Sequence, residues 1–268
     1  MIRRPISQQK KLFLGFIGTI CLVAFYSALS FNQHQKNPTD TTIPNGIQLL
    51  EGVKKATLPD YAGKIWLLDD VKATYFRLGC GLSLAVVLAL GLGILMGHFT
   101  SLQALSYPPL SFLCFIPSTA GLTIFMATVG TGEWLFISVV VFGAMPTLAR
   151  VICLSAEKDV VEQDIFKFIT MGASTSEVIY ELSFKMILPR IISAVRLAVG
   201  PAMITLIALE MLISDIGFGY RLRLQGRLLN MNVCYFYCIV LGLIGLLIDQ
   251  ALVRISRKFC GWFEKAGA

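Results

Sequence analysis

Charge is what this sequence has least of. Only 15% of its 268 residues are Asp, Glu, Lys or Arg, against 56% hydrophobic, and the mean hydropathy is +0.72. A soluble globular domain carries roughly a quarter charged residues, so the chain has too little polar surface to face water on all sides. Metal chemistry is equally poorly provided for. No C-x-x-C pair occurs, and His34 and His98 stand alone, which excludes a site with ligands at the usual spacing. No G-x-x-x-x-G-K-[ST] occurs either, so the chain has no phosphate-cradling loop of its own for ATP. No cofactor is expected.

What is present points to lipid. Of seven cysteines, Cys21, Cys80, Cys114, Cys153, Cys234 and Cys238 lie in or at apolar runs, where thiols behave as small hydrophobes; only Cys260 falls outside them. The net charge of +7 comes largely from clusters at run ends, Arg3, Arg4, Lys10 and Lys11 and then Arg254, Arg257 and Lys258. That placement sets membrane orientation and forms no stripe for nucleic acid.

The first apolar run, Leu12–Phe31, is long enough to cross a hydrocarbon core of about 30 Å. It exceeds a signal-peptide core in length, although Ser27-Ala28-Leu29-Ser30 would serve as a cleavage site, so an anchor and a cleaved leader both fit. A polar stretch follows to Asp70, with turn formers at Asn37-Pro38-Thr39-Asp40 and Pro44-Asn45-Gly46. Within it, Ile43, Ile47, Leu50 and Val53 have helical spacing and predict a short amphipathic helix lying on the membrane or the protein. Further spans are expected at Thr74–Gly97, Pro109–Val129, Trp134–Leu154, Ile191–Ile213 and Val233–Ile255. The fold class is therefore an all-α, polytopic transmembrane helix bundle of about six spans. The Lys and Arg distribution, with Arg150, Lys158, Lys167, Lys185 and Arg190 on one side, predicts both termini in the cytoplasm. Gly79, Gly81, Gly91, Gly93 and Gly97 crowd the second span and are read as packing positions.

Residues 155–190 are too long for a turn between spans and too polar to be one. Two amphipathic helices fit, joined at Met171-Gly172-Ala173-Ser174. Gly172 would end the first as its C′ residue. Ser174 and Glu177 would open the second as an S-x-x-E capping box, and that helix would run to Leu188-Pro189. An interfacial helix pair and a docking surface for a cytoplasmic partner both suit this pattern.

Gly172-Ala173-Ser174, with Leu188-Pro189 and Arg196-Leu197-Ala198 downstream, resembles the coupling loop of binding-protein-dependent ABC import permeases, in the branch serving nitrate, taurine and aliphatic sulfonates. Pro117 followed by Phe125–Glu133, Ala208-Leu209-Glu210-Met211-Leu212 and Gly217-Phe218-Gly219-Tyr220 are similar to further motifs of that branch, in the same order. Phe166-Lys167-Phe168 stand where the family has E-A-A. The resemblance implies an inner-membrane permease subunit with a pore formed by two such subunits, in a homodimer or heterodimer. It further implies a cytoplasmic ABC ATPase, a periplasmic or lipid-anchored solute-binding protein and a small anion such as nitrate, taurine or a sulfonate as cargo. The ATPase-coupling residues it implies are Ile165, Phe166, Lys167, Phe168, Gly172, Ala173, Ser174, Glu177, Ile179 and Pro189.

No catalytic residue is expected, since ATP hydrolysis falls to a separate subunit. The domain reading is an N-terminal span and loop over 1–73, a permease core over 74–258 and a tail over 259–268. Ionisable residues inside spans are expensive and point to function. Glu210 is the candidate for lining the pathway or joining two helices; Asp249 is expected to pair with Arg254 or a neighbouring helix, while Arg77 and Arg196 would reach for the interface. An ATP-independent transporter or channel, and a non-transporting scaffold, are the alternatives.

Overall fold

A computed structural model describes residues 7–37, 40–59 and 63–261. Arg3, Arg4, Pro38, Thr39, Asp60 and tail residues 262–268 lie outside the described residues. In chain order the helices are α1 (Gln8–Lys36), α2 (Gly46–Thr57), α3 (Trp66–His98), α4 (Thr100–Cys114), α5 (Leu122–Val129), α6 (Glu133–Asp159), α7 (Glu162–Thr170) and α8 (Thr175–Glu177). A π-helical stretch (Val178–Phe184) leads into α9 (Lys185–Ile213), followed by α10 (Phe218–Arg227) and α11 (Met231–Phe259). Five helical runs among the described residues are long and apolar enough to cross a membrane: Phe13–Lys36, α3, α6, Thr175–Ile213 and α11.

The run expected as a third span is instead two helices. Pro117 pushes Ile116 out of the helical region, so α4 stops at Phe115, its C-cap, and α5 begins only after Gly121. Residues 115–121 between them are held by tight turns, such as Ala120 N–H to the Pro117 carbonyl at 2.9 Å.

The chain divides into two compact units, one of residues 1–67 and 222–239, the other of 68–221 and 240–268. In the first unit α1 meets the start of α2. Tyr26 Oη donates to the Pro44 carbonyl at 2.8 Å, and Asn45 and Gln48 form a reciprocal capping box. The face of α2 that packs on the protein carries its small residues. Gly52 and Ala56 are buried, and a Cβ at residue 52 would lie 2.6 Å from the Asn232 carbonyl oxygen, while Ile47 and Leu50 are exposed. Small residues let the backbones meet, which leaves the larger apolar side chains facing outward.

In the second unit α6 is central. Of its most apolar stretch 56% is buried, against 28% for α3. Gly81, Gly93 and Gly97 of α3 press onto α6, where an added Cβ would come within 2.7 Å of Val140, 2.7 Å of the Ala149 carbonyl and 2.5 Å of Ala156. Ala85 and Ala89 continue this i, i+4 row, fully buried. Gly79 and Gly91 face open space, so close packing explains three of the five glycines.

Candidate functional site

The segment 155–190 starts within α6, which continues to Asp159. An Asp159–Arg190 ion pair at 2.5 Å ties its two ends. Between them α7 closes in a Schellman turn. Gly172 takes φ +90°, its N–H donates to the Ile169 carbonyl at 2.9 Å, and Ala173 N–H donates to the Phe168 carbonyl at 3.0 Å. Ser174 then caps the next helix. Its N–H and hydroxyl donate to Glu177 Oε2 at 2.7 and 2.9 Å, and Glu177 N–H donates to Ser174 Oγ at 3.4 Å.

This element has two faces. Ile165, Phe168 and Ala173 pack against a buried cluster that includes Val178, Leu182 and Ile187. Phe166, Ile169 and Met171 are exposed by 63, 52 and 74%. Lys167 is exposed and pairs with Asp164 at 2.8 Å; Ile179 is half-buried. The second helix does not end at Leu188-Pro189. Pro189 is buried inside α9, and the run Thr175–Ile213 is continuous. The acceptor that Pro189 leaves without an α-helical donor is the Lys185 carbonyl, at the junction where the π-helix gives way to α9.

One contact in this region has no counterpart in the sequence reading. His98, the last residue of α3, has its Nδ1 2.8 Å from the Ile94 carbonyl and its Nε2 2.6 Å from Ser183 Oγ. The carbonyl can only accept, so Nδ1 carries a proton, and Nε2 meets the serine hydroxyl within hydrogen-bond distance. Ser183 is fully buried within the π-helical stretch.

Far along the chain, Glu210 lies fully buried in a polar network. Thr74 Oγ1 lies 2.9 Å from both carboxylate oxygens, Arg77 Nη1 donates to Oε1 at 2.9 Å and Gly219 N–H to Oε2 at 3.0 Å. Arg77 also holds Glu133 through two bonds, Nε to Oε2 at 2.6 Å and Nη2 to Oε1 at 2.7 Å, and stacks over Phe136. Asp70 accepts from Gly217 N–H at 3.0 Å and Arg221 Nε at 2.8 Å. Gly217 (φ +114°) and Gly219 leave the room this needs. A Cβ at 217 would lie 2.6 Å from Glu210 Cδ, and one at 219 would lie 2.3 Å from the Ile207 carbonyl. The motifs Ala208–Leu212 and Gly217–Tyr220 thus form two sides of one site. Arg77, 2% exposed, sits at its centre and does not reach for the interface. Its place was readable: Asp70, Thr74 and Arg77 are polar residues at i, i+4 and i+7 on an apolar helix.

Asp249 pairs with Arg196 of α9, Nε to Oδ1 at 2.8 Å and Nη2 to Oδ2 at 3.0 Å, and not with Arg254. Arg196 is accordingly an interhelical partner. Between the α4–α5 break, α6 and α9 lies a cavity of about 450 Å³ whose wall includes Cys114, Pro117, Ser118, Thr147, Pro201 and Thr205. No group of three or more His, Cys, Asp or Glu side chains able to hold a metal occurs among the described residues.

Residues 89–259 match the family described as binding-protein-dependent transport system inner membrane component. An ABC transporter permease protein of Methanocaldococcus jannaschii is 31% identical over 198 residues, covering 73% of each chain. The taurine transport system permease protein TauC of Escherichia coli is 24% identical over 265 residues, 97% of this chain and 92% of the relative. The nitrate import permease protein NrtB of Synechocystis is 26% identical over 189 residues, 70% of this chain and 68% of the relative. Matched over most of its length by a family of membrane transport subunits, and built as an all-helical multi-pass bundle, the chain belongs to the permeases of binding-protein-dependent ABC importers and is a transport subunit, not an enzyme.

Proposed function

We propose that the chain forms, with a second permease subunit of the same or a related sequence, the pathway of an importer whose energy comes from a cytoplasmic ABC ATPase. The observation that carries this reading is the two-faced element of α7 and the Gly172 turn. Its inner face is anchored in the bundle through Ile165, Phe168 and Ala173, and its outer face offers Phe166, Ile169 and Met171. An exposed apolar patch on a polar segment outside the spans suits a protein or a membrane contact, and membership of a family of transport subunits favours the protein. Lys167, Ser174, Glu177, Ile179 and Pro189 complete the coupling element by shaping or flanking it.

In this reading the protein sits in the inner membrane with both termini cytoplasmic. The α4–α5 pair crosses together, and residues 74–258 form the permease core. The Glu210 network then lies at the outer end, where a solute-binding protein delivers cargo. Glu210 joins α3, α9 and α10 there and does not line the path. The cargo is a small solute bearing an anionic group, as the taurine and nitrate in the names of two relatives suggest.

Co-purification with the ATPase tests the contact. The parent chain should retain the ATPase, and chains carrying Phe166→Asp with Ile169→Asp, or Gly172→Pro with Ile179→Asp, should lose it. Undiminished retention by both pairs would overturn the assignment.

A further inference from the structure

Four arginines of the second unit hold carboxylates. Arg77 pairs with Glu133 and Glu210, Arg190 with Asp159, Arg196 with Asp249 and Arg221 with Asp70. Arg150, inside α6, has no carboxylate within ion-pair distance among the described residues. Its Nη2 lies 3.4 Å from Tyr107 Oη, its guanidinium lies 5.2 Å from the Tyr107 ring centroid, and its Nε is buried with no hydrogen-bond partner. One turn earlier on α6, Thr147 Oγ1 lies 3.6 Å from Cys114 Sγ of α4.

Cys114 lines the 450 Å³ cavity, as do Thr147, one turn before Arg150, and Val151, the residue after it. Ser118 brings a hydroxyl to the same wall, seated where a Cβ at Gly143 would come within 3.0 Å of its oxygen. The broken backbone at 115–121 supplies another part of that wall. Non-helical backbone at membrane depth persists where protein buries it or where it borders a water-filled cavity. An unneutralised guanidinium in a span likewise faces the bundle interior or such a cavity, and marks the route of an ion or substrate.

We propose that Arg150 is the residue that selects anions in the pathway, acting from beside the cavity at the α4–α5 break, whose wall its helix neighbours Thr147 and Val151 form. A small carboxylate, sulfonate or oxyanion passing the cavity accepts from the guanidinium, which has no carboxylate partner of its own. The hydroxyls of Ser118, Thr147 and Thr205 solvate the rest of it. This inference rests on the reading of the chain as a permease pathway and assigns the charge preference of that pathway to one side chain.

The native Cys114 thiol provides the probe. The other six cysteines are replaced by alanine, and the chain is reconstituted in liposomes with its ATPase and second subunit. Two thiol reagents are compared, the anionic sulfonatoethyl and the cationic trimethylammonioethyl methanethiosulfonates, each rate normalised to its rate on a free thiol. A fixed charge focused in a cleft changes local ion concentration by tenfold or more. The anionic reagent should therefore be favoured about tenfold, a preference lost in Arg150→Gln and kept in Arg150→Lys. A change in thiol ionisation alters both rates alike and cancels in the ratio. Thr205→Cys in a Cys114→Ala chain repeats the measurement from the opposite wall. Equal rates in the parent, a preference that survives Arg150→Gln, or no reaction at either position would each overturn the proposal. ATPase retention in the same preparations separates the two failures: flat rates on an intact complex overturn the role of Arg150 alone, and loss of ATPase from the parent overturns the functional reading.

Discussion

Arg77 and Glu210 meet at 2.9 Å with both side chains withdrawn from solvent, and the arginine then reaches on to Glu133. Removing one partner of a buried pair leaves the other charged and uncompensated, at a cost of about 3–5 kcal/mol. Arg77→Met or Glu210→Leu alone should lower the thermal midpoint of the detergent-solubilised protein sharply. The double substitution should cost clearly less than the sum of the two, because it leaves no orphaned charge in that pair. Thermal unfolding of all three variants measures the difference.

Asp249 and Arg196 provide the contrast. Their pair is bidentate but only part-buried within the chain, so removing one partner leaves the other less enclosed than at Glu210. Asp249→Asn should lower the thermal midpoint less than Glu210→Leu does.

Gly172 has nothing within 4 Å of the position a Cβ would occupy, so its constraint is the backbone alone. With φ at +90°, a β-branched residue is strained by roughly 1–2 kcal/mol, whereas Asn tolerates the region. Gly172→Asn should retain ATPase and Gly172→Val should weaken its association, read as the bound fraction at a fixed ATPase concentration.

The His98–Ser183 contact should govern the order of the π-helical stretch. Loss of the imidazole leaves the buried Ser183 hydroxyl without this partner, at about 1–3 kcal/mol. His98→Ala should speed amide hydrogen exchange across residues 178–184 while leaving α11 unchanged. Equal protection in parent and variant would show that packing alone holds the stretch.

What was legible in the sequence was local. Gly172 and the Ser174–Glu177 box act within a few residues of themselves, so their spacing was enough. The Glu210 network was not readable as a unit, since Arg77 finds its partners 56 and 133 residues away. The run 109–129 read as one span because averaged hydropathy is blind to the single Pro117 that divides it. Pro189 misled in the opposite direction. A proline usually ends a helix, yet here the π-to-α junction falls at the carbonyl it leaves unbonded, and the helix passes through.

The helix from Thr175 to Ile213 is unbroken over 39 residues, about 58 Å at 1.5 Å per residue. Its lower end is the Ser174 cap beside the Gly172 turn, and Glu210 lies one turn from its upper end. A beam of that length is a lever. Tilting it by about 10° around its midpoint swings each tip roughly 5 Å in opposite directions, with no rearrangement of the residues between. Leverage of this kind needs no chain of communicating side chains: a push at one end of the helix arrives at the other as displacement.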